Sequence, residues 1–176
     1  MKAGTQPDPE GNSLFQLYTD NRYRNIGVPF NREISGVAKL EKVGLAAHVD
    51  APDGAFKTPT MRNVAKGASA NFIKAYTHNG WFKSLKHLVH FYNTRDEQDP
   101  VEPTIFKIPR CETLGISDAT EKETLNADGT TKCWPAPEFA GAVTGIIGKL
   151  KLTSSEEDAI VAYLESLSDE VTASRP

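Results

Sequence analysis

The chain's capacity for metal or redox chemistry rests on four histidines (His48, His78, His87 and His90) and two cysteines (Cys111 and Cys133). His87 and His90 are three residues apart, which on a helix puts two imidazoles on neighbouring positions, close enough to share a metal ion. The surrounding stretch SLKHLVHFYN (Ser84–Asn93) offers no Cys, Asp or Glu to complete a ligand set, and two solvated histidines on a helix surface account for the pattern better. His78 stands in a Thr-His-Asn-Gly turn, where a loop residue is placed for contacts; a structural hydrogen bond would serve as well. The cysteines lie 22 apart with no C-x-x-C, so neither a thioredoxin-type pair nor a zinc ribbon is on offer, and no C-x-x-C-H exists to carry thioether-bound haem. A structural disulfide in an oxidising compartment and two unrelated thiols fit the bare sequence equally. Nothing resembles a phosphate-cradling glycine loop, a nucleophile elbow or a paired-carboxylate site. No catalytic residue is assigned.

The elements that would position these residues are mostly helical. Ser84 can cap a helix over Ser84–Asn93, where Leu85, Leu88, Val89 and Tyr92 recur at i, i+3, i+4 and i+7 and turn Tyr92 inward. A last helix begins at a capping box of Ser154 with Glu157, and Ile160, Tyr163, Leu164 and Leu167 supply its apolar stripe. The carboxylates of Glu156, Glu157 and Asp158 then fall in a first turn, where negative charge suits the helix dipole. Short helices are expected over 34–45, interrupted at Gly36 and Gly44, just after Pro59, where proline suits a first helical position, and within 137–150, weakened by three glycines. Between them run Leu14–Asn31, read as an ordered loop that wraps something, and a long loop over 95–135 with prolines at 100, 103, 109 and 135. Loops of that length are functional or tied down. No strand pattern competes.

The 176 residues carry 20 Lys plus Arg against 23 Asp plus Glu, too balanced for a protein built to neutralise nucleic-acid phosphates. No apolar run approaches the roughly 20 residues of a membrane span, and residues 1–13 lack the apolar stretch of a secretory signal. Hydrophobic residues at 39%, with 13 Gly and 11 Pro, describe a loop-rich domain with a modest core. A flexible segment is expected over 1–13, one domain over 14–168 and a tail over 169–176.

Five motifs in order, LYTDNRYRNIGVPFN, FKTPTMRNVA, YTHNGWFKSLKHLVHFYNTRD, CWPAPE and LTSSEEDAIVAYLESLS, resemble the C-terminal half of bacterial di-haem cytochrome c peroxidases, and more closely the MauG-like branch. The resemblance runs from about Leu14 to Leu167 and implies a mainly α, cytochrome-c-like helical domain with long ordered loops. In that family each of two domains attaches haem c through its own C-x-x-C-H; the N-terminal haem meets peroxide and the C-terminal haem relays electrons. The C-x-x-C-H of the C-terminal domain precedes the segment matching Leu14–Asn31. The expectation is therefore a C-terminal domain truncated after its haem-attachment motif, without covalent haem and inactive as an isolated chain.

The resemblance also implies roles. Tyr92 matches the second axial ligand of the C-terminal haem iron, a methionine in the peroxidases and a tyrosine in the MauG-like enzymes. Phenolate is a hard anionic oxygen ligand that favours ferric iron. Lys57 and Arg62 would neutralise haem propionates, His78 and Trp81 would line the haem side, Met61 would be core, and Cys111 with Cys133 would form a loop disulfide. Calcium is a further cofactor of the intact family. The implied partners are an N-terminal haem domain or upstream segment, and a small electron-donor protein or protein substrate, in the periplasm. The alternative is a haem-free remnant or protein-interaction module without catalytic activity.

Overall fold

A computed structural model describes residues 18–20, 22–34, 54–67, 72, 74–96, 108–140, 145 and 147–168. The expected segments 1–13 and 169–176, and nearly all of the helix expected over 34–45, lie outside them. The regular elements are β1 (Tyr23–Arg24), β2 (Phe56–Lys57), α1 (Leu85–Thr94) and α2 (Ser154–Ser166), with 3-10 turns at Cys111–Leu114 and Glu121–Thr124. β1 and β2 pair antiparallel, Tyr23 opposite Lys57 and Arg24 opposite Phe56. Two helices of 10 and 13 residues beside a two-stranded ladder correct the expectation of a mainly α, cytochrome-like helical fold. A ladder of two residues is too short to leave an alternating pattern, which is why the sequence showed no strand.

The loops hold their course because asparagine side chains take over backbone hydrogen bonding. Asn25 donates to the Phe139 carbonyl at 2.9 Å and accepts from Gly27 N–H at 2.9 Å. Asn31 donates to Asn79 O and accepts from Glu33 N–H, while Asn79 donates to Pro29 O and accepts from Trp81 N–H. Each amide offers both a donor and an acceptor, so one side chain satisfies two backbone groups that helix or sheet would otherwise have to pair. The helix expected after Pro59 does not form. Asn63 adopts φ +61°, and isolated turns follow in its place, Val64 N–H to Met61 O and Lys66 N–H to Asn63 O. The described parts of 137–150 are likewise bends and turns.

Helix α1 is the centre of the molecule. Ser84 caps it, accepting from His87 N–H. The inward face is wider than the periodicity implied: Leu85, His87, Val89, Phe91, Asn93 and Thr94 are buried, while Leu88 and Tyr92 are half-buried. At its C-terminal end the free carbonyls of Tyr92 and Asn93 accept from Gly148 and Leu150 N–H, so a distant loop completes the last turn. Gly148 is required there: at φ +95°, a Cβ would approach Asp96 N to 2.8 Å. Around α1 pack Trp81, Phe82 and Trp134, all at most 1% exposed.

Helix α2 starts one residue earlier than expected, with a capping box of Thr153 and Glu156. That choice frees Glu157 to face α1, where its carboxylate meets His90 Nδ1 at 2.9 Å and Asn93 Nδ2 at 2.7 Å. Val161 and Leu164, at i+4 and i+7 from Glu157, pack on the core, whereas Tyr163 of the expected stripe is 52% exposed. Cys111 and Cys133 are joined in a disulfide. Beside it, Cys111 N–H donates to Trp134 O and Trp134 N–H to Pro109 O, which ties the long loop to the core.

Two outcomes follow. Opening the disulfide in a Cys111→Ser/Cys133→Ser variant frees a loop of sequence separation 22, and chain entropy sets the cost at about 3 kcal/mol, read as a lower urea midpoint. Burial alone would push the Glu157 carboxyl up, but His90, Asn93 and Lys86 outweigh it and hold it below its ordinary value of 4.5. Its stabilisation is therefore complete above that value and is lost as pH falls through the lower folded value. Glu157→Gln should cost on the order of 2 kcal/mol at neutral pH, and the gap between variant and wild-type urea midpoints should close on acidification.

Candidate functional site around Tyr92

Tyr92 comes from the C-terminal half of α1, and its phenol is half-buried against the core. Its hydroxyl makes no hydrogen bond among the described residues. Burial pushes its pKa above the ordinary 10, and the charges of Arg24 and Arg95 pull the other way. The phenol is therefore protonated at neutral pH, but in a setting with two cations that favour its anion.

Both arginines are fixed. Arg24 on β1 forms a two-pronged ion pair with Asp20 and donates to the Thr58 hydroxyl at 2.9 Å. That guanidinium, with a hydrogen bond from Arg22 N–H, holds the Asp20 carboxyl well below the usual carboxylate range. Arg95 lies one helical turn beyond Tyr92 and is buried. It donates to the carbonyls of Ile26 and Ile147 and pairs with Asp96, with its guanidinium 5.6 Å from the Phe91 ring centre. Because Ile26 is two residues past Arg24, this bond draws the β1 segment to the end of α1. Sequence reasoning missed both arginines. Arg95 was legible as the i+3 neighbour of Tyr92; nothing local marked Arg24.

The other predicted site residues lie on three different segments. Lys57 is exposed on β2, with no ion pair among the described residues. Arg62 is half-buried in the turns after Pro59, its N–H bonded to Thr60 Oγ1. Neither is among the charges acting on Tyr92. The His78 ring stacks on Phe56 at 3.6 Å and 8°, and its Nε2 lies 3.1 Å from Glu138 Oε2. Burial depresses the His78 pKa against the opposing pull of Glu138. Trp81 is inside the core, its indole N–H donating to Ala119 O at 3.0 Å. Met61 is half-buried.

His87 and His90 are not the solvated pair expected. Helix α1 is enclosed on the side that carries them, and each ring faces a carboxylate from far along the chain. His87 Nδ1 is 2.9 Å from Glu121 Oε1, and Glu121 Oε2 also accepts Lys83 N–H. His90 faces Glu157. The His87 ring stacks on Trp134 at 4.8 Å and 23°, and its Nε2 is the one buried side-chain polar atom without a hydrogen bond among the described residues. No group of three or more His, Cys, Asp or Glu there could hold a metal ion, and no described helix is long and apolar enough to cross a membrane.

The donor chemistry a haem iron would need is present in one oxygen and three imidazoles. Tyr92 presents an oxygen with no hydrogen bond among the described residues, under the charge of Arg24 and Arg95. His78, His87 and His90 each have one ring nitrogen facing a carboxylate, and the other nitrogen of His87 is buried without a hydrogen bond there.

The chain is 30% identical over 164 residues to the methylamine utilization protein MauG of Paracoccus denitrificans (strain Pd 1222), in an alignment covering 88% of this chain and 35% of MauG. It thus spans about a third of that relative's length. Among solved structures, the crystal structure of a MauG-like protein associated with microbial copper homeostasis aligns over 94% of this chain and 37% of that one, with 18% identity and a TM-score of 0.46. No family profile matches. The chain is similar to MauG.

Removing a cation from beside Tyr92 should make its phenol harder to ionise. Ultraviolet titration of Arg24→Gln, with Tyr92→Phe subtracted to isolate this phenol, should place its ionisation at higher pH than in the wild type. An unchanged titration would show that Arg24 exerts no influence there.

Proposed function

We propose that the chain is the C-terminal, electron-relay haem domain of a di-haem, peroxidase-type oxidoreductase of the MauG-like kind, with Tyr92 as an axial ligand to the haem iron. The observation that carries this reading is the half-buried phenol whose oxygen makes no hydrogen bond among the described residues and which lies under the charge of Arg24 and Arg95. Similarity to MauG over most of the chain supports it.

In this reading Tyr92 gives up its proton when it binds. The two guanidinium groups offset the cost that burial places on the anion. Arg24 is set in place by Asp20 and Thr58, and Arg95 by two carbonyls, so neither has to reorganise. Lys57 and Arg62 face the propionates, His78 lines the haem side under the hold of Glu138, and Trp81 backs the wall from inside the core. Bound haem would supply one-electron redox chemistry, and an anionic oxygen ligand favours its ferric form. The opposite axial ligand and the peroxide-reactive haem are assigned to an N-terminal domain or upstream segment, and reducing equivalents to a small electron-donor protein or a protein substrate. A periplasmic location agrees with the disulfide, since such bonds persist in oxidising compartments. The isolated chain should show no peroxidase turnover.

The test is a haemin titration of the chain, with imidazole supplied as the opposite ligand. Binding should shift the Soret band, and Tyr92→Phe should lose that shift while keeping its fold. Equal spectra for the two proteins would remove the ligand assignment. Absence of any haem binding would favour a haem-free interaction module instead.

A further inference from the structure

Aromatic rings run without a break from the Tyr92 position into the core. The ring centres of Tyr92 and Phe91 are 6.4 Å apart, and those of Phe91 and Trp134 are 5.2 Å apart. Trp134 is wholly buried, and its indole N–H donates to the Thr94 hydroxyl at 3.1 Å. That hydroxyl donates in turn to the His90 carbonyl, so the indole proton faces a weak base and stays in place.

The surroundings of Trp134 carry charge in a particular arrangement. The His87 ring stacks on the indole at 4.8 Å, and the His90 ring is 6.0 Å away. Behind each imidazole stands a carboxylate, Glu121 for His87 and Glu157 for His90. Both carboxylates belong to residues that are at most 8% exposed. Two carboxylates thus stand behind the imidazoles next to a buried indole, Glu157 also 3.8 Å from Lys86 Nζ. Where screening by water is weak, each imidazole–carboxylate pair can shift charge to offset a positive charge formed on the ring.

We propose that Trp134 is a one-electron relay for the Tyr92 position, with Phe91 as the bridge and the His87–Glu121 and His90–Glu157 pairs as the setting that stabilises the oxidised indole. One electron leaves the indole, crosses Phe91 and reduces an oxidised centre at Tyr92. No bond to Trp134 breaks, and the product is its radical cation with Nε1–H still bonded to Thr94. The physiological oxidant is an oxidised haem, so the role in turnover rests on the function proposed above. The path itself does not.

The same path can be read in reverse in the haem-free chain. An ultraviolet flash ejects an electron from indole, and hexaamminecobalt(III) takes it up, being reduced to cobalt(II). Tyr92 then returns an electron to the Trp134 radical cation and releases its phenolic proton to water, leaving neutral indole and a tyrosyl radical. Transient absorption should show indole-radical decay matched by a tyrosyl-radical rise, at a rate independent of protein concentration. That rise should be lost in Trp134→Phe and in Tyr92→Phe, each of which keeps an aromatic ring in place, and should persist in Trp81→Phe. A rise that survives in Trp134→Phe or in Tyr92→Phe overturns the proposal, because another indole or another phenol is then responsible. Success here with no haem binding would leave the relay path standing and remove the haem function; haem binding without the rise would do the opposite.

Discussion

A ten-residue helix bearing two histidines and an asparagine can be buried only if every one of those polar side chains finds a partner. That requirement organises the fold around α1. His87 is met by Glu121, His90 by Glu157, and Asn93 by Glu157 and by both backbone groups of Leu152. The partners come 34, 67 and 59 to 64 residues later in the chain. Satisfying α1 therefore fixes the place of the Glu121–Thr124 turn, the loop entering α2, and α2 itself. An unmet buried carboxylate or amide would cost more than its bond returns, so these contacts form together or the segments do not dock.

The same requirement explains why so little regular structure is needed. In a chain with 13 glycines and 11 prolines, long helices are costly, and backbone groups must be paired by other means. Asn25, Asn31 and Asn79 bracket the loops in the way that Asn93 brackets the approach to α2. Arg95 does so with charge, joining the carbonyls of Ile26 and Ile147 to the end of α1. The disulfide completes the pattern by holding Trp134 against the stack of Phe82, His87 and Phe91.

Features carried by neighbouring residues were legible in the sequence. The extent of α1 and its Ser84 cap follow from spacing alone, and α2 was displaced by only one residue, because Thr153, Ser154 and Ser155 are all competent caps. The choice among them was made by Glu157, which has to reach α1. The half-buried position of Tyr92 also followed from periodicity. By contrast, Phe91 sits off the expected stripe and is buried because Trp134 arrives from another segment. The carboxylates that bury His87 and half-bury His90 are equally distant, and no local pattern announces them. The disulfide came from resemblance rather than from spacing, which left it open.

Tyr92 lies where these constraints meet. Its backbone carbonyl is taken by Gly148 N–H, its neighbour Phe91 leads to Trp134, and Arg95 one turn on is immobilised by the carbonyls of two other segments. These neighbours are thus committed to the fold, while the phenol oxygen makes no hydrogen bond among the described residues. A structural tyrosine of this burial ordinarily spends its hydroxyl on a carbonyl or carboxylate. Here the charges that act on the phenol belong to Arg24 and Arg95, each of which already has acceptors of its own. The two fixed cations make the phenolate less costly than burial alone would, and that is the property on which the proposed ligand role draws.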